Sequence, residues 1–136
     1  MRYRISTYRY TIAVGSATNW LGELWALDRP RPLAHVRWRP DADVYETAAA
    51  LEVLVDLAGV DEQELEVHLF EDALVVEGCR RLPGCQEGAL YHAVGIRQGP
   101  FRLALPVPMP VDAERVEARY ERGLLRITLP KRGGTR

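Results

Sequence analysis

The sequence predicts an all-β fold, an antiparallel β-sandwich preceded by a short arm. From about position 43 onward, apolar and polar residues alternate with a period of two, which is typical of half-buried strands. Turn residues separate these segments at intervals of about ten residues, as in sandwich folds. Helical periodicity is almost absent there, and a chain of 136 residues has room for one core. One sandwich domain therefore accounts for most of the chain.

The alternation is clearest in segment 51–57. Its odd-numbered residues are aliphatic, whereas Glu52, Leu54 and Asp56 point to the other face. Gly123 lies in a tight turn between the last two segments, where glycine takes a positive φ without a Cβ penalty. The predicted strands are 44–47, 51–57, 65–70, 73–78, 90–96, 101–105, 116–121 and 124–129.

The arm ends near Pro30 and Pro32, which stop helices and favour extended linkage. Before them, Asn19 is a candidate cap for a short helix over 20–27 that needs a surface to dock on. The predicted organisation has three parts: an N-terminal arm over 1–37, a domain over 38–131 and a short flexible tail over 132–136.

The formal net charge of -1 provides no overall field for nucleic acid or anionic lipid. Arginines and tyrosines interleave in the arm, a pattern that also suits RNA binding by stacking and phosphate contact. Contacts with other proteins or with partner subunits explain the same aromatic residues, because Tyr and Trp contribute large contact areas. The predicted arm contacts are Tyr3, Tyr8, Tyr10, Trp20 and Trp25. A third interpretation has the arm cover its own domain.

Neither a catalytic centre nor a metal site is predicted. The histidines His35, His68 and His92 show no ligand spacing and neighbour no plausible nucleophile. Cys79 and Cys85 are too few for a disulfide framework, and spectator thiols are favoured over a redox switch. No glycine-rich phosphate loop precedes a helix, and no apolar run could span a bilayer. The sequence thus predicts a soluble, cytoplasmic protein without cofactors.

Several motifs in a fixed order resemble the α-crystallin domain of small heat-shock proteins. The strongest is the run from Ala118 to Leu125, similar to the family's A-x-x-x-x-G-x-L motif. The run from Trp38 to Thr47 is similar to the family's opening strand, and that from Val55 to Val60 to its leucine-x-glycine-valine turn. Further agreement comes from Tyr91-His92, Gly99, Phe101-Arg102, Leu105-Pro106, Val111-Asp112 and Leu129-Pro130-Lys131.

The resemblance implies an immunoglobulin-like sandwich that acts as an ATP-independent holdase, a chaperone that binds unfolding client proteins. It also implies self-association as a dimer through strand exchange, with small oligomers beyond it. The implied exchange residues are Leu90, Tyr91, His92, Val94 and Arg102. The implied client or partner groove is lined by Leu65, Val67, Leu69, Val116 and Ala118, positions that would be apolar in any sandwich core.

The chain also departs from the family. The tail over 132–136 lacks the isoleucine-x-isoleucine motif that ties dimers into large shells, so dimers or small oligomers are expected. The segment between Gly99 and Pro106 is about two residues shorter than in many relatives, which affects the assignment of Arg102. A rival interpretation is a specific interaction module that resembles the sandwich of co-chaperones and binds one partner.

Overall fold

A computed structural model describes residues 2–3 and 37–133, and it confirms the all-β prediction. Two four-stranded sheets enclose one apolar core, with strand orders β1-β4-β5-β6 and β2-β3-β8-β7. The strands are β1 (Arg2–Tyr3), β2 (Ala42–Glu46), β3 (Ala50–Asp56), β4 (Leu65–Leu69), β5 (Ala73–Arg80), β6 (Gly99–Pro106), β7 (Glu117–Glu121) and β8 (Leu124–Pro130). Single 3-10 turns, Glu62–Glu64 and Ala113–Arg115, precede β4 and β7.

The burial pattern follows the alternation that the sequence predicts. In β3, Leu51, Val53 and Val55 are buried, whereas Glu52 is only partly covered. Strand β8, which pairs antiparallel with β3, buries Leu125 and Ile127 completely. Because both strands direct alternate side chains inward, a shift of one residue in register would expose the whole set. The hydrophobic pattern therefore fixes the pairing of these two strands.

The predicted strand over 90–96 is wrong for the isolated chain. Residues 83–98 are all exposed, and no strand forms between β5 and β6. A strand needs a hydrogen-bonded neighbour, and no described part of this chain provides one for the segment. The other predicted strands differ from the observed ones mainly at their ends: β5 continues to Arg80, and β2 begins at Ala42.

Tyr120 ties β7 to the turn that follows β3. Its hydroxyl donates to the carbonyl oxygen of Leu57 at 2.7 Å and lies 2.9 Å from that of Val60. The ring packs against the core. Burial is the largest influence on the pKa of Tyr120 and raises it, while the hydrogen bond with the Val60 backbone acts in the opposite direction. The neutral phenol is thus the form that the folded state favours.

Tyr120→Phe should lower the free energy of unfolding by about 1–3 kcal/mol, because the partly buried carbonyl groups of Leu57 and Val60 lose the hydroxyl that donates to them. Since the pKa of Tyr120 is raised above its ordinary value of 10.0, the unfolded chain loses this proton first as the pH rises. The stability contributed by Tyr120 is therefore full below pH 10 and declines above it. Urea unfolding of the unchanged protein and of Tyr120→Phe from pH 7 to 11 checks this. If the free energy of unfolding depended on pH identically in the two proteins, the prediction would be contradicted.

Gly123 forms the turn between β7 and β8 with a φ of 79°, after Arg122 with a φ of 53°. Two successive positive φ values are typical of a two-residue hairpin turn. A Cβ at Gly123 would lie 2.8 Å from Cα of Ala58, closer than backbone atoms can tolerate. The Gly123 carbonyl also accepts a 2.8 Å hydrogen bond from the Leu57 amide. Glycine is therefore required here by conformation and by space.

Gly123→Val should destabilise the domain more than Gly59→Val does. Gly59 has a similar φ of 78° but nothing within 4 Å of its would-be Cβ, so its replacement adds only conformational strain of about 1–3 kcal/mol. Gly123→Val adds a clash with the Ala58 backbone to the same strain. Thermal unfolding of the two variants separates these costs. Equal melting temperatures would mean that the contact with Ala58 is unimportant.

Candidate functional site

The edges of the two sheets differ in how their backbone groups are covered. At β6, the Trp38 amide donates to the Pro100 carbonyl at 3.1 Å, and the Arg102 amide donates to the Trp38 carbonyl at 3.1 Å. At β4, the neighbour is β1. At β7, Glu117, Arg119 and Glu121 are exposed, and charged side chains oppose the addition of another chain. Three edges are thus paired or protected by charge.

The fourth edge, that of β2, is open and carries two exposed apolar side chains between the acidic residues Asp43 and Glu46. Among the described residues, β2 pairs only with β3. Val44 and Tyr45 on this strand are 44% and 46% exposed. An unprotected strand edge with apolar side chains is a template for pairing with another chain. The β2 edge is therefore the first component of the candidate site.

The second component is the segment 83–98, named here the exchange loop. It lies between β5 and β6 in the chain and carries four exposed large apolar residues. Exposure is 81% for Leu90 and 77% for Val94. The other two are Tyr91 and Ile96, at 62% and 64%. Contiguous exposed apolar surface of this kind marks an interaction site.

Arg80 anchors the base of the exchange loop. Its Nε donates to the Arg97 carbonyl at 2.8 Å, and its Nη1 donates to the Ala58 carbonyl at 3.3 Å. The guanidinium carbon lies 4.3 Å from the centre of the Trp38 ring, within the range of a cation–π contact. Trp38 Nε1 in turn donates to the Gly99 carbonyl at 3.0 Å. Both ends of the loop are thus fixed to the sandwich.

Of the predicted exchange residues, the structure brings Leu90, Tyr91, His92 and Val94 together on the exchange loop and places Arg102 elsewhere. Arg102 is half-buried on β6, opposite Glu77 in register. Its Nε lies 3.2 Å from Oε1 of Glu77, without hydrogen-bond geometry. Arg37 donates to the same oxygen at 3.4 Å. In this chain Arg102 therefore belongs to an ion-pair cluster on the sheet.

The predicted groove residues are part of the main core. Leu65, Val67 and Leu69 on β4 are 0%, 6% and 3% exposed. Val116 is 9% exposed, and Ala118 packs against the core from β7. Little of their surface is open, so a partner at this position would contact mainly the strand edges. Their role as a groove remains a prediction.

The predicted arm contacts lie mostly outside the described residues. This holds for Tyr8, Tyr10, Trp20 and Trp25, whereas the backbone of Tyr3 forms part of β1. No sequence pattern had indicated that β1 pairs with β4.

The two cysteines are free thiols: Cys79 is half-buried and Cys85 is exposed. A side-chain hydrogen bond with Cys85 raises the pKa of Tyr91.

One cluster of possible metal ligands was missed by the sequence reasoning. Glu66, His68 and Glu77 offer ligand atoms within 4.8 Å of one another. His68 Nε2 lies 3.3 Å from Oε2 of Glu66. Residues two apart on a strand share a face, and this periodicity could have indicated the pair. Because Arg37 and Arg102 already neutralise Glu77, the group has the composition of a surface ion-pair cluster.

No helix in the described residues has the length and apolar character that a membrane span requires.

Comparisons with protein families and with known proteins all point to the same family. The sequence model of the Hsp20/alpha crystallin family matches residues 43–135. Spore protein SP21 of Stigmatella aurantiaca is 37% identical over 79% of this chain and 62% of its own length. The probable 15 kDa heat shock protein of Leptospira interrogans is 31% identical over 68% of this chain and 70% of its own length.

The solved structures agree with the sequence comparison. Heat shock protein 16.0 of Schizosaccharomyces pombe superposes with a TM-score of 0.66 at 30% identity, covering 74% of this chain and 93% of that one. The chain spans about three fifths of the length of relatives such as SP21 and the small heat shock protein C2 of Rickettsia felis, at 62% and 60%. Fold, motifs and sequence together show that the chain belongs to the Hsp20/alpha crystallin family, that of the small heat-shock proteins.

Proposed function

We propose that this protein is an ATP-independent holdase chaperone, which binds unfolding proteins in the cytoplasm and limits their aggregation. The observation that carries the proposal is the match of residues 43–135 to the Hsp20/alpha crystallin family, on a sandwich with exposed apolar surface. Unfolding proteins expose apolar segments and unpaired strands. The proposed client-binding surfaces are the aromatic arm and the groove of Leu65, Val67, Leu69, Val116 and Ala118, because strand exchange would occupy the exchange loop and the β2 edge. Relatives named as heat-shock proteins support the same conclusion.

The proposed working unit is a dimer formed by strand exchange. Each subunit offers one open edge at β2 and one apolar exchange loop, so a two-fold axis lets each loop pair with the partner's edge. Leu90, His92 and Val94 alternate along the loop with a period of two and would present one face. The exchange would cover the backbone groups of β2 together with Val44 and Tyr45. The open β2 edge of one subunit and the apolar exchange loop of the other would thus cover each other.

The arm and Arg102 have secondary roles in this proposal. The aromatic residues of the arm would bind clients or link dimers, because large amphipathic side chains contribute contact area at low entropy cost. Arg102 and its partner Glu77 would stiffen the sheet that carries the exchange loop, since Arg102 is paired within its own chain. No step in this mechanism requires a bound nucleotide, metal or catalytic residue.

A holdase should suppress the aggregation of several unrelated proteins. We expect that the purified chain, without ATP, lowers the light scattering of three heat-labile proteins of different folds. The effect should increase with the ratio of chaperone to client, because capture competes with aggregation. Unchanged scattering in all three would contradict the proposal. Suppression limited to one protein, with tight binding to it, would indicate a specific interaction module instead.

Deletion of residues 82–94 should convert the dimer to a folded monomer, because it removes the apolar strand that pairs with the partner's β2. Light-scattering mass and circular dichroism measure assembly and fold separately. A less disruptive variant, Leu90→Ser with Val94→Ser, should weaken the dimer in the same direction. The matched control, Glu87→Ser with Gln98→Ser, changes polar residues of the same loop and should keep the dimer. A deletion variant that remains dimeric would exclude strand exchange.

A further inference from the structure

The outer face of the sheet that contains β4 and β5 brings two carboxylates and an imidazole together. Glu66 and His68 lie two residues apart on β4 and therefore share this face. Glu77 on β5 is the register partner of Glu66. The ligand atoms of the three side chains all lie within 4.8 Å of one another. Because the residues belong to two paired strands, the sheet itself sets their spacing.

The register of Glu66 opposite Glu77 is unfavourable by itself, since like charges directly opposite each other on neighbouring strands are destabilising. Arg37 and Arg102 offset the charge of Glu77, and both approach the same oxygen, Oε1, at 3.4 and 3.2 Å. No arginine or lysine side chain that the structure describes pairs with Glu66. A cation between the two carboxylates would use the second oxygen of Glu77 and compensate the charge of Glu66.

The distance between His68 and Glu66 suits two ligands of one metal ion. Nε2 of His68 lies 3.3 Å from Oε2 of Glu66, which is long for an N–H···O hydrogen bond, usually about 2.7–3.2 Å. Zinc bonds to nitrogen and oxygen of about 2.0–2.1 Å, at a tetrahedral angle, separate two ligand atoms by about 3.3 Å. Glu77 lies close enough for a rotation of its side chain to complete a set of three ligands.

A cleft beside the cluster leaves room for an incoming ion. Its volume is about 320 Å³, and Glu66 and Glu77 are among the residues that line it. Glu66 is exposed, so a hydrated ion can reach the carboxylates without any opening of the fold. A water molecule can occupy the fourth coordination position, as in zinc sites with three protein ligands.

We propose that Glu66, His68 and Glu77 form a binding site for one divalent transition-metal ion, and that Zn²⁺ fits it best. An imidazole ligand favours such an ion over Mg²⁺ and Ca²⁺, which prefer oxygen ligands alone. Arg37 and Arg102 hold the Glu77 carboxylate by its other oxygen and so orient it toward the ion. The bound ion ties β4 to β5. This site is independent of the proposed holdase function.

Equilibrium dialysis against ZnCl₂ tests the site. The protein is the full chain without an affinity tag, in a background carrying Cys79→Ser and Cys85→Ser, because thiolates also bind zinc. The chain should bind one Zn²⁺, and an equal concentration of Mg²⁺ should not displace it. His68→Ala should weaken the binding by about tenfold or more, because the imidazole ligand is lost.

Matched variants separate this site from general attraction of zinc to the surface. Glu66→Gln should weaken Zn²⁺ binding in the same direction as His68→Ala, because it removes a second ligand. The control His92→Ala removes an exposed imidazole of the exchange loop, and Glu117→Gln removes an exposed carboxylate of the other sheet. Both controls should bind Zn²⁺ as the unchanged protein does. Circular dichroism confirms that each variant is folded.

Hydrogen–deuterium exchange locates the bound ion. Saturating Zn²⁺ should slow the amide exchange of residues 65–69 and 73–80 by about threefold or more, because the ion links these two strands and binds only the folded state. The same Zn²⁺ concentration should leave these rates unchanged in His68→Ala.

Three results would overturn the inference. One is the absence of Zn²⁺ binding to the cysteine-free chain. Another is equal affinity in the unchanged, His68→Ala and His92→Ala proteins, which would indicate an adventitious ion only. The third is displacement of Zn²⁺ by an equal concentration of Mg²⁺, which would mean that carboxylates hold the ion without the imidazole.

Discussion

The structure depends on one constraint: the backbone groups at the edge of a β-sheet must be paired, covered or protected by charge. The sandwich meets this constraint at three of its edges with its own residues. The segment around Trp38 covers β6, β1 covers β4, and alternating charges protect β7. Among the described strands, only β2 presents both an unpaired edge and exposed apolar side chains. In the proposed dimer, a second copy supplies an apolar strand of matching character to that edge.

The base of the exchange loop is held against the sandwich by side-chain contacts. Arg80, Trp38 and Gly99 form a connected set of contacts at the point where the loop leaves and rejoins the sheet. Beyond this base, every residue of the loop is exposed, with Leu90 at 81% and Tyr91 at 62%. Rigid anchorage below and apolar exposure above are the combination expected of a segment that binds another chain. The same combination explains how an interaction surface coexists with a well-packed core.

Much of the sandwich could be predicted from the sequence, because the patterns that specify its strands and turns lie within short segments of the chain. The alternation in β3 and the glycine turn at Gly123 each depend on residues close in sequence, and both predictions are confirmed. The strand predicted over 90–96 failed because local pattern cannot supply the neighbouring strand that this segment needs. Arg80 and Trp38 were overlooked as a pair, since residues 42 positions apart show no spacing that links them. For the same reason, nothing in the sequence indicated that β1 pairs with β4.

The account predicts that the exchange loop of one subunit lies along β2 of another, and cross-linking between subunits tests this most directly. In a background carrying Cys79→Ser and Cys85→Ser, one tagged chain carries Val44→Cys. A second, differently tagged chain carries Leu90→Cys, His92→Cys or Val94→Cys. After the two chains are mixed and mildly oxidised, strand exchange predicts a disulfide-linked dimer containing both tags for at least one of the three positions, since a disulfide forms only when Cα atoms approach within about 7 Å. Absence of doubly tagged product at all three positions, under conditions where the mixed dimer exists, would contradict the account.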